Sequence, residues 1–357
     1  MKLFLSIFTL VSLSWVNQCA AQLQFNYNSV GNTFADGGLE LATNLWAQEF
    51  KDDITVNLNF SFSNLGAGAL SSAASATQTN TYVDFWSAIG NDATSSDDTT
   101  MWNGLPTGQT FSVYINHTSE AGFSNTPYVD DDGGANNANV RITTANAKAL
   151  GLRSANDTVT DAAIIFNDSF AWDFDPTDGI TEGTLDFVGI ATHEIGHALG
   201  FESGVDELDA NGFGAHDDNA LPFVSSIDFL RFSTDSETFG ADIDWTADKR
   251  GKYYSIDGGL SVALPGAEHW STGVVYGDGE QASHWKDGVG IGIMDPTTST
   301  GTASTISGID LQAFDVIGYD RSFVSAVPEP TSLSVVSLGL AAFLLRRRRR
   351  LALLPRS

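Results

Sequence analysis

The stretch GIATHEIGHALGF, residues 189–201, has the pattern of an amphipathic helix with two histidines on one side. Its apolar residues recur at helical spacing, so one flank can be buried while His193 and His197 project from the same face, about one turn apart. Gly200 then suits the positive φ at which many helices end. The pattern therefore predicts a helix that presents two imidazoles together.

The two histidines and the residue between them suit a catalytic zinc site. Imidazole nitrogens are common zinc ligands, so His193 and His197 could share one tetrahedral ion. Glu194 stands where a general base can take a proton from water without binding the metal. A chance HExxH on a structural helix is the alternative, but the helix-ending glycine and the downstream segment Met294-Asp-Pro make it the weaker interpretation.

Residues 1–21 have the composition of a secretory signal. Lys2 precedes an apolar run, and Ala20-Ala21 supplies small residues for cleavage, so the exported chain is expected to begin near Gln22. The single cysteine, Cys19, leaves with this segment. The mature chain therefore has no thiol for a disulfide bond or for metal binding.

The C-terminal segment, residues 327–351, has three parts: Val-Pro-Glu-Pro at 327–330, an apolar run over 331–345 and five arginines at 346–350. This order resembles the PEP-CTERM sorting tail of Gram-negative bacteria. The resemblance implies export, transient anchoring in the inner membrane, recognition by an exosortase, and a final place at the cell surface, in the extracellular matrix or in the medium. An ordinary membrane anchor is the alternative, but the run is shorter than the about 20 residues that a span needs.

The formal net charge of the whole chain is −27. Residues 22–326 hold ten basic and 43 acidic residues, which gives this region a formal charge of −33. Nucleic acid and anionic membrane surfaces are poor partners for such a region. Contact with a membrane is therefore expected only through the C-terminal segment.

Two acidic loops raise the question of calcium. Carboxylates are calcium ligands, and they are concentrated at 130–132 and at Asp173, Asp175 and Asp178. The spacing of the second group fits no EF-hand, so solvated turns are the preferred interpretation of both loops. Calcium stays open as a second cofactor beside zinc.

Hydrophobic periodicity predicts an α+β chain. The expected elements are a helix over 34–50 with its start signal at Asp36, strands over 54–62, 109–116 and 162–166, the helix at 189–201 and a last helix over 309–317. No regular element is predicted for the Ser/Ala/Thr-rich stretch 71–80, and 91–100 is predicted to be a polar loop. Loops and short strands are expected from Phe201 to Tyr254.

The order of helix, strands and histidine-bearing helix resembles the N-terminal half of a metzincin zinc protease. The segment GIMDP, residues 292–296, resembles the Met-turn that lies beneath the zinc in that family. The resemblance implies an N-terminal lobe of mixed sheet and helices over about 22–202, in which an edge strand pairs with an extended substrate. It also implies a loop-rich C-terminal lobe over 203–326, with Met294 in the Met-turn and a final helix.

The third zinc ligand departs from the usual metzincin motif. The position three residues after the glycine holds Ser203, which is a poor zinc ligand. His284, ten residues before Met294, lies in an HWK…GIMDPT block that resembles the leishmanolysin branch, where a long insertion precedes the third histidine. The resemblance implies the ligand set His193, His197 and His284, with Asp206 and His269 as the fallback ligands.

Three functional hypotheses follow. The first is a secreted zinc endopeptidase that cleaves protein or peptide substrates with Glu194 as general base. The second is an inactive metzincin-like surface or matrix module, which the unusual Ser203 and the acidic surface would suit. A third keeps the enzyme but takes a glutamate from a later helix as ligand, as thermolysin-like enzymes do, and Met294 argues against it.

Overall fold

The computed structural model describes residues 22–214, 216–221, 224–266 and 268–322, and the described part up to Arg321 forms one unit. The predicted signal and sorting segments lie outside the described residues. Helices and strands are mixed along the described chain, so the predicted α+β class is confirmed. No helix of the described ranges is long and apolar enough to cross a membrane.

Strands and helices alternate irregularly along the described residues. The strands are β1 Gln24–Tyr27, β2 Thr55–Ser63, β3 Ser71–Ser75, β4 Thr77–Thr81, β5 Val113–Ile115, β6 Tyr128–Asp130, β7 Asn139–Thr143, β8 Ala162–Asn167, β9 Trp172–Asp173, β10 Leu185–Asp186, β11 Arg231–Phe232, β12 Ile243–Trp245 and β13 Tyr253–Tyr254. The α-helices are α1 Thr33–Glu49, α2 Tyr82–Asp92, α3 Ser96–Gly104, α4 Ala135–Ala138, α5 Thr144–Ala149, α6 Phe187–Leu199, α7 Val205–Asn211, α8 Thr234–Phe239 and α9 Gly308–Val316.

The largest sheet of the described residues has the order β1-β2-β8-β3. β1, β2 and β8 are parallel, and β3 runs antiparallel to β8 along one edge. Val56, Leu58 and Phe60 of β2 are buried, as expected for a strand with one face on a core. α6 packs against both α1 and β3. The sheet therefore brings its edge strand beside the helix that carries the two histidines.

Helix α1 begins earlier than its predicted start signal. The side chain of Asn32 accepts hydrogen bonds from the backbone nitrogens of Phe34 and Ala35, which makes Asn32 the N-cap. Asp36 lies inside the first turn and accepts from Ser29 Oγ instead. The predicted start at Asp36 is therefore wrong, because the cap is an amide four residues before it.

Other differences from the predicted elements have local causes. Residues 71–80 contribute β3 and β4, because they pair with β8 and β7, which lie far away in sequence. The predicted loop 91–100 contains the start of α3, where Ser95 and Asp98 form a capping box. The predicted strand 109–116 shortens to β5, and the segment after Phe201 also contains α7 and α8.

One hydrophobic core joins the two predicted lobes. Trp46 of α1 donates to the Thr192 carbonyl of α6 at 2.8 Å and packs edge-on against Phe314 of α9 at 4.7 Å. Tyr319, just after α9, donates to the Leu199 carbonyl at 2.7 Å. α6 is therefore supported from below by helices from both ends of the described chain.

Candidate metal centre

α6 is fixed at both ends by its own sequence. Asp186 caps the N-terminus by accepting from Gly189 N at 2.9 Å, and a Cβ at Gly189 would collide with that carboxylate. At the other end Gly200 has φ 125°, a conformation that few L-residues adopt. Twelve of the thirteen residues of α6 are buried, His193 being the exception. The helix is therefore held rigidly in the core with its first histidine facing a groove.

Three histidine rings converge beside α6. His193 and His197 lie one turn apart on the helix, and His284 comes from a distant loop. Their Nε2 atoms are 3.0 Å apart for the first pair and 3.2 Å apart for each pair with His284. Across the described ranges this is the one group of three or more His, Cys, Asp or Glu ligand atoms close enough to hold a metal ion.

Backbone carbonyls fix the tautomer of all three rings. A carbonyl oxygen can only accept, so each ring must carry its proton on Nδ1 and leave a lone pair on Nε2. The carbonyls are Ile293 O at 2.7 Å from His193 Nδ1, Phe201 O at 2.8 Å from His197 Nδ1 and Gln281 O at 3.2 Å from His284 Nδ1. Three Nε2 lone pairs therefore face one another, an arrangement that could hold a shared cation.

The donor set fits zinc. A tetrahedral ion with bonds of about 2.0–2.1 Å holds its ligands about 3.3–3.4 Å apart, close to the observed separations. Burial, reinforced by the neighbouring imidazoles, lowers the pKa of His197 well below its usual range and that of His284 to about 3. The two rings are therefore neutral at physiological pH, as metal ligands must be.

Glu194 is held beside the histidines by the edge strand. Its side chain is buried, with 6% of its surface exposed, and its Oε1 accepts from Ser71 Oγ of β3 at 2.5 Å. Burial raises the pKa of the Glu194 carboxyl, against the opposing effects of His193 and of hydrogen bonds from Ser71 and Ala73. The carboxylate thus has a fixed orientation and an increased affinity for a proton.

A groove of about 960 Å³ passes over the three histidines. Its walls are formed by β3, by α6, by the segment around His284 and by the Ser/Thr-rich stretch that follows Met294. β3 pairs only with β8 among the described strands, so its other edge is available to an extended chain. The groove therefore brings a bound molecule into contact with both the histidines and Glu194.

Met294 forms the floor under this part of α6. Its side chain is fully buried, and a Cβ added at Gly196 would collide with its sulfur. The buried Asp310 of α9 fixes the same turn, because its carboxylate accepts from Ile293 N at 2.8 Å and from Trp285 Nε1 at 2.8 Å. The turn and the ligand loop are therefore anchored to one carboxylate.

Residues 326–350 match the PEP-CTERM protein-sorting motif. The match supports an exported protein whose C-terminal tail is recognised by exosortase sorting machinery, in agreement with the tail predicted over 327–351. It covers only the end of the chain and does not extend to the groove. No curated protein and no solved structure matches the chain.

The two fallback ligands have other partners. His269 accepts from Tyr254 N through Nδ1 at 3.0 Å, and its Nε2 lies 3.3 Å from the Pro265 carbonyl, so both ring nitrogens are used. Asp206 accepts hydrogen bonds from the segment just before His284. The structure thus brings His284 to the two helix histidines and leaves His269 and Asp206 outside the cluster.

Several residues that shape the centre are not recognisable from the sequence alone. Ser71 carries no local signal, because its contact with Glu194 depends on the position of β3. Asp310 was recognisable only as the fourth residue of a capping box that begins at Ser307. In the acidic loop, Asp173 and Asp175 accept hydrogen bonds from backbone nitrogens of that same loop. Calcium stays a prediction.

Proposed function

We propose that this chain is an exported zinc-dependent endopeptidase of the metzincin type. The observation that carries the proposal is the convergence of three Nε2 lone pairs in a groove whose wall also holds Glu194. A purely structural zinc site would close the fourth coordination position with another protein ligand. Three imidazole nitrogens with a carboxylate nearby are instead the donor set of a hydrolytic centre.

The zinc ligands, the general base and its hydrogen-bond donor have distinct roles in the proposed mechanism. His193, His197 and His284 would hold Zn²⁺, which when bound acidifies a water molecule and polarises the scissile carbonyl. Glu194 takes the proton of the attacking water and delivers it to the leaving amine. The Ser71 hydroxyl keeps the carboxylate oriented during both transfers, and the raised pKa of Glu194 favours its role as base.

The metzincin assignment rests on the arrangement around the histidines. An antiparallel edge strand, β3, lies beside α6, and a buried methionine lies beneath it against Gly196. A peptide substrate would lie along the groove and pair with the open edge of β3 through its backbone. With the sorting tail, these features favour activity at the cell surface, in the extracellular matrix or in the medium of a Gram-negative bacterium.

The test is zinc content and casein hydrolysis of the full-length protein as wild type, Glu194→Gln and Glu40→Gln. We expect one zinc per chain in all three. Glu194→Gln should reduce hydrolysis by about 10²–10⁴-fold, the usual contribution of a general base. Glu40, exposed on α1, is the matched control and should behave as wild type.

Two outcomes would contradict the proposal. Wild-type hydrolysis by Glu194→Gln would remove Glu194 from the mechanism. Stoichiometric zinc without cleavage of any protein by the wild type would favour an inactive surface or matrix module.

A further inference from the structure

The loop that supplies His284 contains no helix or strand, and its backbone is bonded to the segment 269–271, where Ser271 N donates to His284 O at 3.1 Å. Its ring also makes the longest of the three hydrogen bonds to backbone carbonyls, 3.2 Å against 2.7 and 2.8 Å for the helix histidines. On α6 the helical backbone places two side chains at a fixed spacing, and the loop has no such constraint. The segment just before His284 therefore needs a support of its own.

Asp206 of α7 makes the contacts that do this. Its carboxylate accepts from Ala282 N at 2.6 Å, from Ser283 N at 3.1 Å and from the hydroxyl of Ser283. These are the two residues directly before His284. Hydrogen bonds to a charged acceptor are roughly twice as strong as neutral ones. Asp206 therefore restrains the segment before His284, as Asp310 restrains Trp285 directly after it.

Ser203 adds a second restraint on the loop. It occupies the position at which the usual metzincin motif has its third zinc ligand. Its backbone nitrogen donates to Ser283 Oγ at 2.8 Å, and its hydroxyl donates to the buried carboxylate of Asp228 at 2.5 Å. Ser203 is therefore fixed to Asp228 on one side and to the ligand loop on the other. The residue at the usual ligand position thus helps to hold the loop that provides the replacement.

Asp206 lies in the wall of the groove, where its side chain is half-buried. Burial raises the pKa of its carboxyl to about 6, while the hydrogen bonds from Ser283 and Ala282 act in the opposite direction. Even partial removal of a carboxylate from water is costly unless its acceptor capacity is used. Here its three hydrogen bonds all go to the segment that places His284.

We propose that Asp206 is a positioning residue that holds His284 in the place of the third metal ligand. The inference rests on the proposed zinc site, and it concerns the affinity and geometry of that site rather than the hydrolytic step. It also converts Asp206 from a candidate ligand into the support of one. Outer residues of this kind typically contribute about 10–100-fold to metal affinity.

Asp209 provides a matched control on the same helix. It is more deeply buried than Asp206 and accepts two backbone hydrogen bonds, from Val275 N at 2.7 Å and Tyr276 N at 2.8 Å. Its loop does not include a ligand. Asp206→Asn and Asp209→Asn therefore remove comparable restraints, of which only the first bears on His284.

The experiment measures Zn²⁺ affinity by competition with a chromophoric chelator, and the visible absorption of the Co²⁺-substituted protein, on the full chain. Asp206→Asn should weaken Zn²⁺ binding by about 10–100-fold and alter the Co²⁺ spectrum. Asp209→Asn should leave the affinity within about twofold of wild type, because the two sites share no partner. Ser283→Ala, which removes only the hydroxyl, should weaken binding by about fivefold and serves if Asp206→Asn does not fold.

The outcomes separate the inference from the proposed function. Unchanged Zn²⁺ affinity in Asp206→Asn, or in Ser283→Ala if Asp206→Asn does not fold, would overturn the positioning role, as would equal losses in the Asp206 and Asp209 variants. Zinc binding without any proteolysis by the wild type would overturn the proposed function alone. Absence of zinc binding in the wild type would overturn both.

Discussion

The two halves of the candidate metal centre are built by different means. α6 supplies His193, Glu194 and His197 within five residues, and its backbone hydrogen bonds set their spacing. His284 and Met294 come from loops. The loop of His284 is held by Asp206, which lies 76 positions from its partner Ala282, and the turn of Met294 is held by Asp310 of α9. A helix thus specifies its half of the centre locally, whereas the loop half is specified by carboxylates that accept from backbone nitrogens.

The substitution with the largest expected effect is His284→Ala, which tests whether His284 belongs to the centre. If the about 10–16 kcal/mol of a structural zinc site is shared among four ligands, each contributes about 2.5–4 kcal/mol. His284→Ala should therefore lose nearly all its zinc in elemental analysis, together with casein hydrolysis. His269→Ala, which removes another buried histidine with no Nε2 in the cluster, should keep its zinc.

The reverse result would contradict the assignment of His284 to the loop half of the centre. Zinc retained in His284→Ala but lost in His269→Ala would mean that the loop half of the centre is assembled from other residues. Loss in both variants would point to a folding defect, which near-ultraviolet circular dichroism would detect.

The local half of the centre was the predictable half. His193, Glu194, His197 and Gly200 follow from one 13-residue pattern, and the structure places that pattern on a helix as expected. His284 could be ranked above Asp206 only by resemblance, since 87 positions separate it from His197 and no periodicity spans such a distance. The roles of the carboxylates were invisible, because an aspartate's acceptor partners depend on the fold.

The next effect concerns Asp310, the anchor of the Met294 turn. An asparagine keeps one acceptor oxygen and turns an NH₂ donor toward the remaining N–H groups of Ile293, Trp285 or Ser307. Asp310→Asn should lower the free energy of unfolding by about 3 kcal/mol, as expected for a buried charged acceptor. Thermal unfolding of the two proteins measures the loss.

Asp315, on the same helix, is the matched control. Its replacement by asparagine is expected to change the free energy of unfolding in the opposite direction. Burial and the nearby Asp98 raise the pKa of its carboxyl to about 6. A carboxyl with a raised folded pKa contributes stability at low pH that is lost as the pH rises from about 4 to 6. Asp315→Asn should therefore stabilise the protein at pH 8 and have little effect at pH 4. A loss of stability at pH 8 equal to that of Asp310→Asn would show that the anchor role is not specific.

Zinc removal should affect the two halves unequally. At free zinc about 100-fold above the dissociation constant, binding stabilises the folded state by about 2.7 kcal/mol. This lowers the equilibrium constant for local opening of the bound segment by about 100-fold. Chelation should therefore accelerate amide hydrogen exchange over residues 282–294 far more than over 187–199, where the helix retains its own hydrogen bonds. His284→Ala should show no further change on chelation. Equal acceleration in both segments would mean that α6 depends on the metal as much as the loop does.

The smallest expected effect tests the contact between the halves. Gly196→Ala places a methyl group against the buried sulfur of Met294, and overpacking of this kind costs about 1–3 kcal/mol. Gly37→Ala, in α1, adds a methyl group that would have no atom within 4 Å, so it should instead stabilise by about 0.5–1 kcal/mol. Thermal unfolding compares them, and equal gains in both variants would show that Met294 moves freely and provides no rigid floor.

The hydrogen bond between Ser203 and Ser283 joins residues that are 80 positions apart, and this separation affects when the centre can form during folding. Contacts of such long sequence separation form late in folding, because the entropy of closing the loop opposes them until the rest is in place. A chain that leaves the exporting cell from its N-terminus releases α6, with two of the histidines, before the loop and Asp310 that complete the centre. We therefore expect a newly exported chain to bring the three histidines of the proposed zinc site together only near the end of its folding.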